Sequence, residues 1–221
     1  MVSRTLELSS QQYQTYLDNL LSGRRAECGE FVEQLISEGW GMRELYLKLF
    51  HQSLYEIGML WEQNEISVAA EHLATAVTES LLTLVYPAVF GAERMGKRIV
   101  VSCVANEFHQ IGAKMIADVC ELNGWDSYFL GANTPSDALM DLLDRVRPHL
   151  LGLSLSVYFN LSRLVEVIEQ VKERFPDLPI IAGGQAFQWG GSEALKAYSG
   201  VFYISSFAEL ESLLRARTEH V

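Results

Sequence analysis

From Lys97 onward, short apolar runs alternate with amphipathic stretches, and that alternation limits the chain to very few folds. Apolar runs at 98–104, 150–155, 179–182 and 201–204, and the aromatic run at 125–130, read as strands. Helical periodicity fills 110–123, 135–147, 160–174, 191–198 and 206–217. Right-handed crossovers between successive strands then predict a five-stranded, doubly wound parallel α/β sheet of the Rossmann or flavodoxin-like kind.

The first half has a different period. Tyr13, Tyr16, Leu17, Leu20 and Leu21 form a helical stripe over 11–21, and Gly23 stops it. Phe31, Val32, Leu35 and Ile36 continue the pattern over 25–37, and Leu45, Leu49, Leu54, Ile57 and Leu60 over 42–62. A Gln63-Asn64-Glu65 turn follows, and Ser67 is placed to cap a fourth helix running to about residue 90. Short connections between four helices predict an antiparallel bundle. The expected organisation is a helical domain over 1–95 and an α/β domain over 96–221, joined near Phe90–Gly96.

Composition excludes several functions. No uninterrupted apolar stretch is long enough to span a membrane. The first ten residues lack an apolar leader core, so a cytoplasmic location is expected. A net charge of −11 without a basic run opposes direct nucleic-acid binding. Cys28, Cys103 and Cys120 are too scattered for a disulfide framework or a zinc knuckle and read as buried thiols.

The chemistry concentrates at predicted strand ends. Glu107-Phe108-His109-Gln-Ile-Gly112 follows the first strand, where open α/β sheets bind ligands. A carboxylate two residues before an imidazole can fix its tautomer, and a glycine lets a bulky ligand approach the backbone. Ser154 and Ser156 end the third strand, and Gly183-Gly184-Gln185 follows the fourth. A lone loop histidine is ordinarily solvated, a glycine pair is ordinarily a turn, and a strand-end serine ordinarily has a local partner. Their coincidence on strand ends one, three and four is harder to explain separately. In the helical half, Trp61 precedes Glu71-His72 by ten residues across one short turn.

With these residues in place, the sequence resembles the cobalamin-binding domain of methionine synthase and the corrinoid proteins, whose pattern is D-x-H-x-x-G, S-x-L and G-G. Glu107 stands for the Asp, and Ser156 for the usual Leu. Trp61 with Glu71-His72 narrows the likeness to adenosylcobalamin-dependent photoreceptors of the CarH/LitR type, over nearly the whole chain. The resemblance implies His109 as the lower cobalt ligand, oriented by Glu107. It implies Phe108 and Gly112 near the corrin, Ser154 and Ser156 beside the displaced tail base, and Gly183, Gly184 and Gln185 along the tail. Valine at Gly183 or Gly184 should then cost binding more than stability. It further implies that the helical domain covers the upper face, with Trp61, Glu71 and His72 meeting the adenosyl group. Small Ala69, Ala70, Ala74 and Ala76 would leave space for it.

The residue after Trp61 is Glu62, where that subfamily has a His able to cap cobalt after photolysis, so His72, His51 or water would have to serve. No helix-turn-helix domain precedes the bundle, which implies output through an unidentified protein partner or a change of homo-oligomeric assembly. A stand-alone subclass is thought to add a bilin, and Trp40, Tyr46, Phe50 and Tyr55 permit one. The resemblance therefore implies a sensor rather than an enzyme. The alternative is a corrinoid carrier passing a methyl group between methyltransferase partners, which would want an unobstructed upper face. A flavodoxin-like domain without a corrin ranks last, because no phosphate-binding loop follows the first strand.

Overall fold

The computed structural model describes residues 6–218, so the first five residues considered for a leader lie outside it. The chain forms two compact units that meet between Ala88 and Val89.

In the helical unit, α1 (Ser10–Leu21) starts at a reciprocal cap: the Ser9 hydroxyl accepts the Gln12 N–H, and the Gln12 side chain accepts the Ser9 N–H. α2 spans Arg25–Ser37. The third helix is continuous in sequence but not uniform. α3 (Met42–Leu45) widens into a π-helical turn (Tyr46–His51) before α4 (Gln52–Glu62). Ser67 caps α5 (Val68–Leu81) by accepting the Ala70 N–H, as its position predicted. The chain then tightens into a 3-10 turn (Leu82–Val85) and ends in α6 (Tyr86–Phe90).

The run Val68–Val89 is long and apolar enough in composition to cross a membrane. Its Ala74, Val77, Thr78, Leu81, Leu82 and Val85 are buried, and α5 packs on α1, α2 and α4 as the core helix of the unit. Ala74 thus fills the core instead of leaving space. Trp40, Tyr46 and Phe50 are buried as well, so packing accounts for the aromatic content that permitted a bilin.

The second unit is the doubly wound sheet that the alternation predicts. β1 (Arg98–Cys103), β2 (Asp126–Phe129), β3 (Leu150–Ser154), β4 (Ile180–Gly183) and β5 (Val201–Tyr203) are all parallel, in the order β2-β1-β3-β4-β5. α7 (Ile111–Leu122) packs on β1 and β2, and α11 (Phe207–Thr218) packs on α7. A buried cluster joins α8 (Ser136–Val146) and α9 (Leu161–Arg174) to Val100, Leu151, Leu153, Ile180 and Ala182 of the strands. This two-sided burial explains why the central strands β1, β3 and β4 read as continuous apolar runs, whereas the edge strands β2 and β5 are partly exposed. Trp125, just before β2, is fully buried.

One segment departs from expectation. The helix predicted over 191–198 is only α10 (Ser192–Leu195), and a 3-10 turn over Gln185–Trp189 precedes it. Gly190 and Gly191, both at positive φ, interrupt the helical path there. The three cysteines are buried free thiols.

Candidate functional site

Strand register aligns the site. Cys103 pairs with Ser154, and Ser154 with Gly183, so the loops carrying His109, Ser156 and Gly184 leave the sheet from one row. The chain order reverses between β1 and β3, which is the switch point where such sheets bind ligands.

Glu107 organises the row. Its side chain is fully buried, yet every accepting position on its carboxylate is used. One oxygen accepts the His109 backbone N–H at 3.0 Å and lies 2.6 Å from His109 Nδ1. The other accepts the N–H groups of Ser156 and Val157, each at 2.9 Å. Burial alone would raise the pKa, but hydrogen bonds from His109, Val157 and Ser156 outweigh it and hold the carboxyl at about 2. An ionised carboxylate can only accept, so His109 Nδ1 carries the proton. Nε2 then bears the ring's electron pair. The imidazole is 56% exposed, so a ligand can reach it.

Beside it, burial pushes the Cys103 thiol up to about 12, and the Glu107 charge adds to that shift. Its sulfur lies 3.8 Å from the His109 carbonyl. This thiol is a packing group and not a second ligand.

The residues fit a corrin. Gly112 is exposed in the first turn of α7, and no atom lies within 4 Å of where its Cβ would stand. Nothing within the unit requires glycine there, and the open space beside the exposed imidazole could admit a large flat ligand. A corrin carries its own metal, so a single imidazole such as that of His109 would be enough for the protein to supply. Among the described residues, no group of three or more His, Cys, Asp or Glu gathers as a metal site.

The glycine pair is different in kind. Gly184 sits at φ +120, and a Cβ there would collide with the Leu155 backbone. At Gly183 a Cβ would lie 2.9 Å from the Ile204 carbonyl oxygen. The fold therefore demands these glycines, and valine at either position carries a backbone cost besides any effect on binding. Gln185 opens the 3-10 turn that follows.

In the helical unit, Glu71 accepts the Thr75 hydroxyl at 3.0 Å and lies 3.4 Å from His72 Nε2. His72 is exposed, as is Trp61 near the end of α4. His51 is stacked on Tyr55 at 4.1 Å between ring centres, and burial lowers its pKa. Of these two histidines, His72 is the accessible one.

Sequence reasoning passed over a second set of residues. Tyr158, Phe159 and Trp189 are exposed aromatics on the loops after β3 and β4, and they join the already expected Phe108 after β1. Asn106, Asn133 and Asn160 tie loops together: Asn106 N–H donates to the Asn133 side chain at 2.8 Å, and the Asn160 amide donates to the Asn106 carbonyl at 3.1 Å. Asn106 and Asn133 stand at positive φ. An asparagine next to a strand end was the available signal, because Asn tolerates that conformation.

Comparison with known proteins follows this geometry. Two B12 binding domain models match, one over residues 97–215 and one over 12–86. The chain is 31% identical over 150 residues to the HTH-type transcriptional repressor CarA of Myxococcus xanthus, covering 67% of this chain and 50% of that one. It is 27% identical to CarH of the same organism, covering 60% and 44%. The chain thus spans about half the length of these relatives. Trimethylamine corrinoid protein 1 of Methanosarcina acetivorans is 20% identical, covering 65% of this chain and 68% of that one. The monomethylamine corrinoid protein of Methanosarcina barkeri shares the fold at a TM-score of 0.80, with 12% identity, over 95% of this chain and all of that one. With a family model spanning more than half its length, the chain belongs to the B12-binding domain family.

Proposed function

We propose that the protein is an adenosylcobalamin-dependent light sensor. The observation that carries the reading is the Trp61–Glu71–His72 set, a half-exposed indole with a carboxylate already paired to Thr75 and His72. A nucleoside offers a stacking face and hydroxyls, which suit these groups better than a bare methyl does. The 31% identity to a CarA repressor supports the same reading.

In it, His109 Nε2 would ligate the cobalt, and Glu107 keeps the ring turned to present that nitrogen. Gly112 admits the macrocycle, with Phe108 beside it. Ser154, Ser156, Gly183, Gly184 and Gln185 accommodate the tail and its base. Adenosylcobalamin supplies a cobalt–carbon bond that green light breaks. Glu71 and His72 would hold the hydroxyls of the adenosyl group and would lose those partners when it leaves. Output passes through a protein partner or a change of self-assembly.

Titration with adenosylcobalamin and methylcobalamin in darkness, then chromatography with light scattering before and after green light, tests the proposal. Each hydrogen-bond partner missing from a desolvated site costs about 1–3 kcal/mol. Adenosylcobalamin should therefore bind at least roughly tenfold tighter, and illumination should alter elution. Equal or tighter binding of methylcobalamin, with no light-dependent change, would instead assign the protein to methyl carriage between methyltransferases.

A further inference from the structure

The β1–β2 ladder ends at Val101 and Phe129, well short of the histidine loop. Beyond it, the Cys103 N–H donates to the Gly131 carbonyl at 3.1 Å, and the Ala132 N–H donates to the Gln110 side chain at 3.1 Å. Asn133 then grips the neighbouring loop at two points. Its backbone N–H donates to the Glu107 carbonyl at 2.8 Å, and its side-chain oxygen accepts the Asn106 N–H at 2.8 Å. One residue therefore brackets the Asn106–Glu107 peptide from both sides. Asn106 at φ 66 and Asn133 at φ 50 both hold the left-handed conformation that Asn reaches more readily than most residues.

Glu107 lies just after the bracketed peptide and carries the bonds to His109 Nδ1, Ser156 and Val157. Any swing of that peptide moves the carboxylate, and with it the imidazole and the loop after β3.

We propose that Asn133 is a positioning residue for the His109 cobalt ligand, setting the Glu107 backbone so that the imidazole is presented before a corrin arrives. The proposal rests on the cobalamin reading above. It predicts that Asn133 matters most when the tail cannot help to anchor the ligand.

The test uses the 221-residue chain with two substitutions. Asn133→Gly keeps the positive-φ backbone and removes the side-chain acceptor. Asn133→Asp keeps both. Each protein is titrated in darkness with aquocobalamin and with tail-less cobinamide. Nitrogen splitting in the paramagnetic resonance spectrum of the reduced cobinamide complex then reports a protein nitrogen on cobalt, since cobinamide has no base of its own.

Asn133→Gly should bind cobinamide roughly three- to tenfold more weakly, as expected for one lost hydrogen bond, with its nitrogen splitting broadened or lost. It should bind aquocobalamin nearly as well as the parent, and Asn133→Asp should restore both properties. Unchanged cobinamide affinity and splitting in Asn133→Gly would overturn the inference. So would equal losses in Asn133→Gly and Asn133→Asp, or failure of Asn133→Gly to fold, which would make the bracket a requirement of the sheet. A parent protein with no nitrogen splitting in either complex would instead overturn the cobalamin ligation itself.

Discussion

Replacing Glu107 with Gln preserves the shape of the side chain and removes its charge. In the native protein this carboxyl titrates at about 2 against an ordinary 4.5, because its hydrogen bonds outweigh the cost of burial. That difference corresponds to roughly 3 kcal/mol of native stability. Since the folded pKa is the depressed one, the stabilisation is fully present above about pH 4.5. It disappears as the pH falls toward 2.

Glutamine offers one accepting oxygen and turns its NH2 toward either the His109 donors or the amides of Ser156 and Val157. One pair must then lose its acceptor. Glu107→Gln should therefore lower stability by about 2–3 kcal/mol at pH 7. The gap from the parent should close as both proteins are taken from about pH 4.5 toward 2. Urea titration of the cobalamin-free proteins at pH 7, 5 and 3 measures this, read through amide exchange of β1 and β3 peptides so that the α/β unit is followed apart from the helical one. A difference below about 0.5 kcal/mol at pH 7, or one that stays constant on acidification, would refute the reasoning.

His109→Ala should retain the fold, since the ring is half exposed, and should bind cobalamin only in a form whose spectrum lacks a protein nitrogen ligand. Gly112→Leu and Gly184→Ala should separate ligand space from backbone demand. Leucine at 112 should leave thermal stability equal or slightly higher, because glycine disfavours helix by about 1 kcal/mol, while cobalamin affinity falls at least tenfold. Alanine at 184 should cost about 2 kcal/mol or more of stability, measured by denaturant unfolding without cobalamin, because φ +120 and the Leu155 backbone leave no room for a Cβ.

Sequence periodicity was informative because this fold buries its strands on both faces and its helices on one. Val100 and Leu151 therefore announce strands, and Leu164, Ile168 and Val171 announce α9. His109 and Glu107 were legible for a related reason: spacing along one loop is local, and the loop's strand fixes where it emerges. What stayed hidden depends on contacts between loops distant in sequence. That Glu107 also holds the amides of Ser156 and Val157 follows only once β1 and β3 lie side by side. The bracket by Asn133 likewise needs β2 on the other flank. The backbone demand behind the glycine pair was hidden as well, because at Gly184 it comes from Leu155, about thirty positions earlier, and at Gly183 from Ile204. The π-helical turn at Tyr46–His51 left no mark in the apolar pattern, since Leu45 and Leu49 remain buried through it.

The four tryptophans make this protein its own optical reporter. Each unit has one buried indole and one exposed indole: Trp40 and Trp61 in the helical unit, Trp125 and Trp189 in the other. The Trp125 indole N–H has no hydrogen-bond partner among the described residues, so its emission should lie at the blue edge of the spectrum. Trp61 and Trp189, bathed in water, should emit at the red edge. A coloured ligand arriving near those exposed rings should quench the red side first, whereas unfolding of either unit should drain the blue side. A single emission scan during a titration can therefore tell ligand arrival from loss of structure without any label.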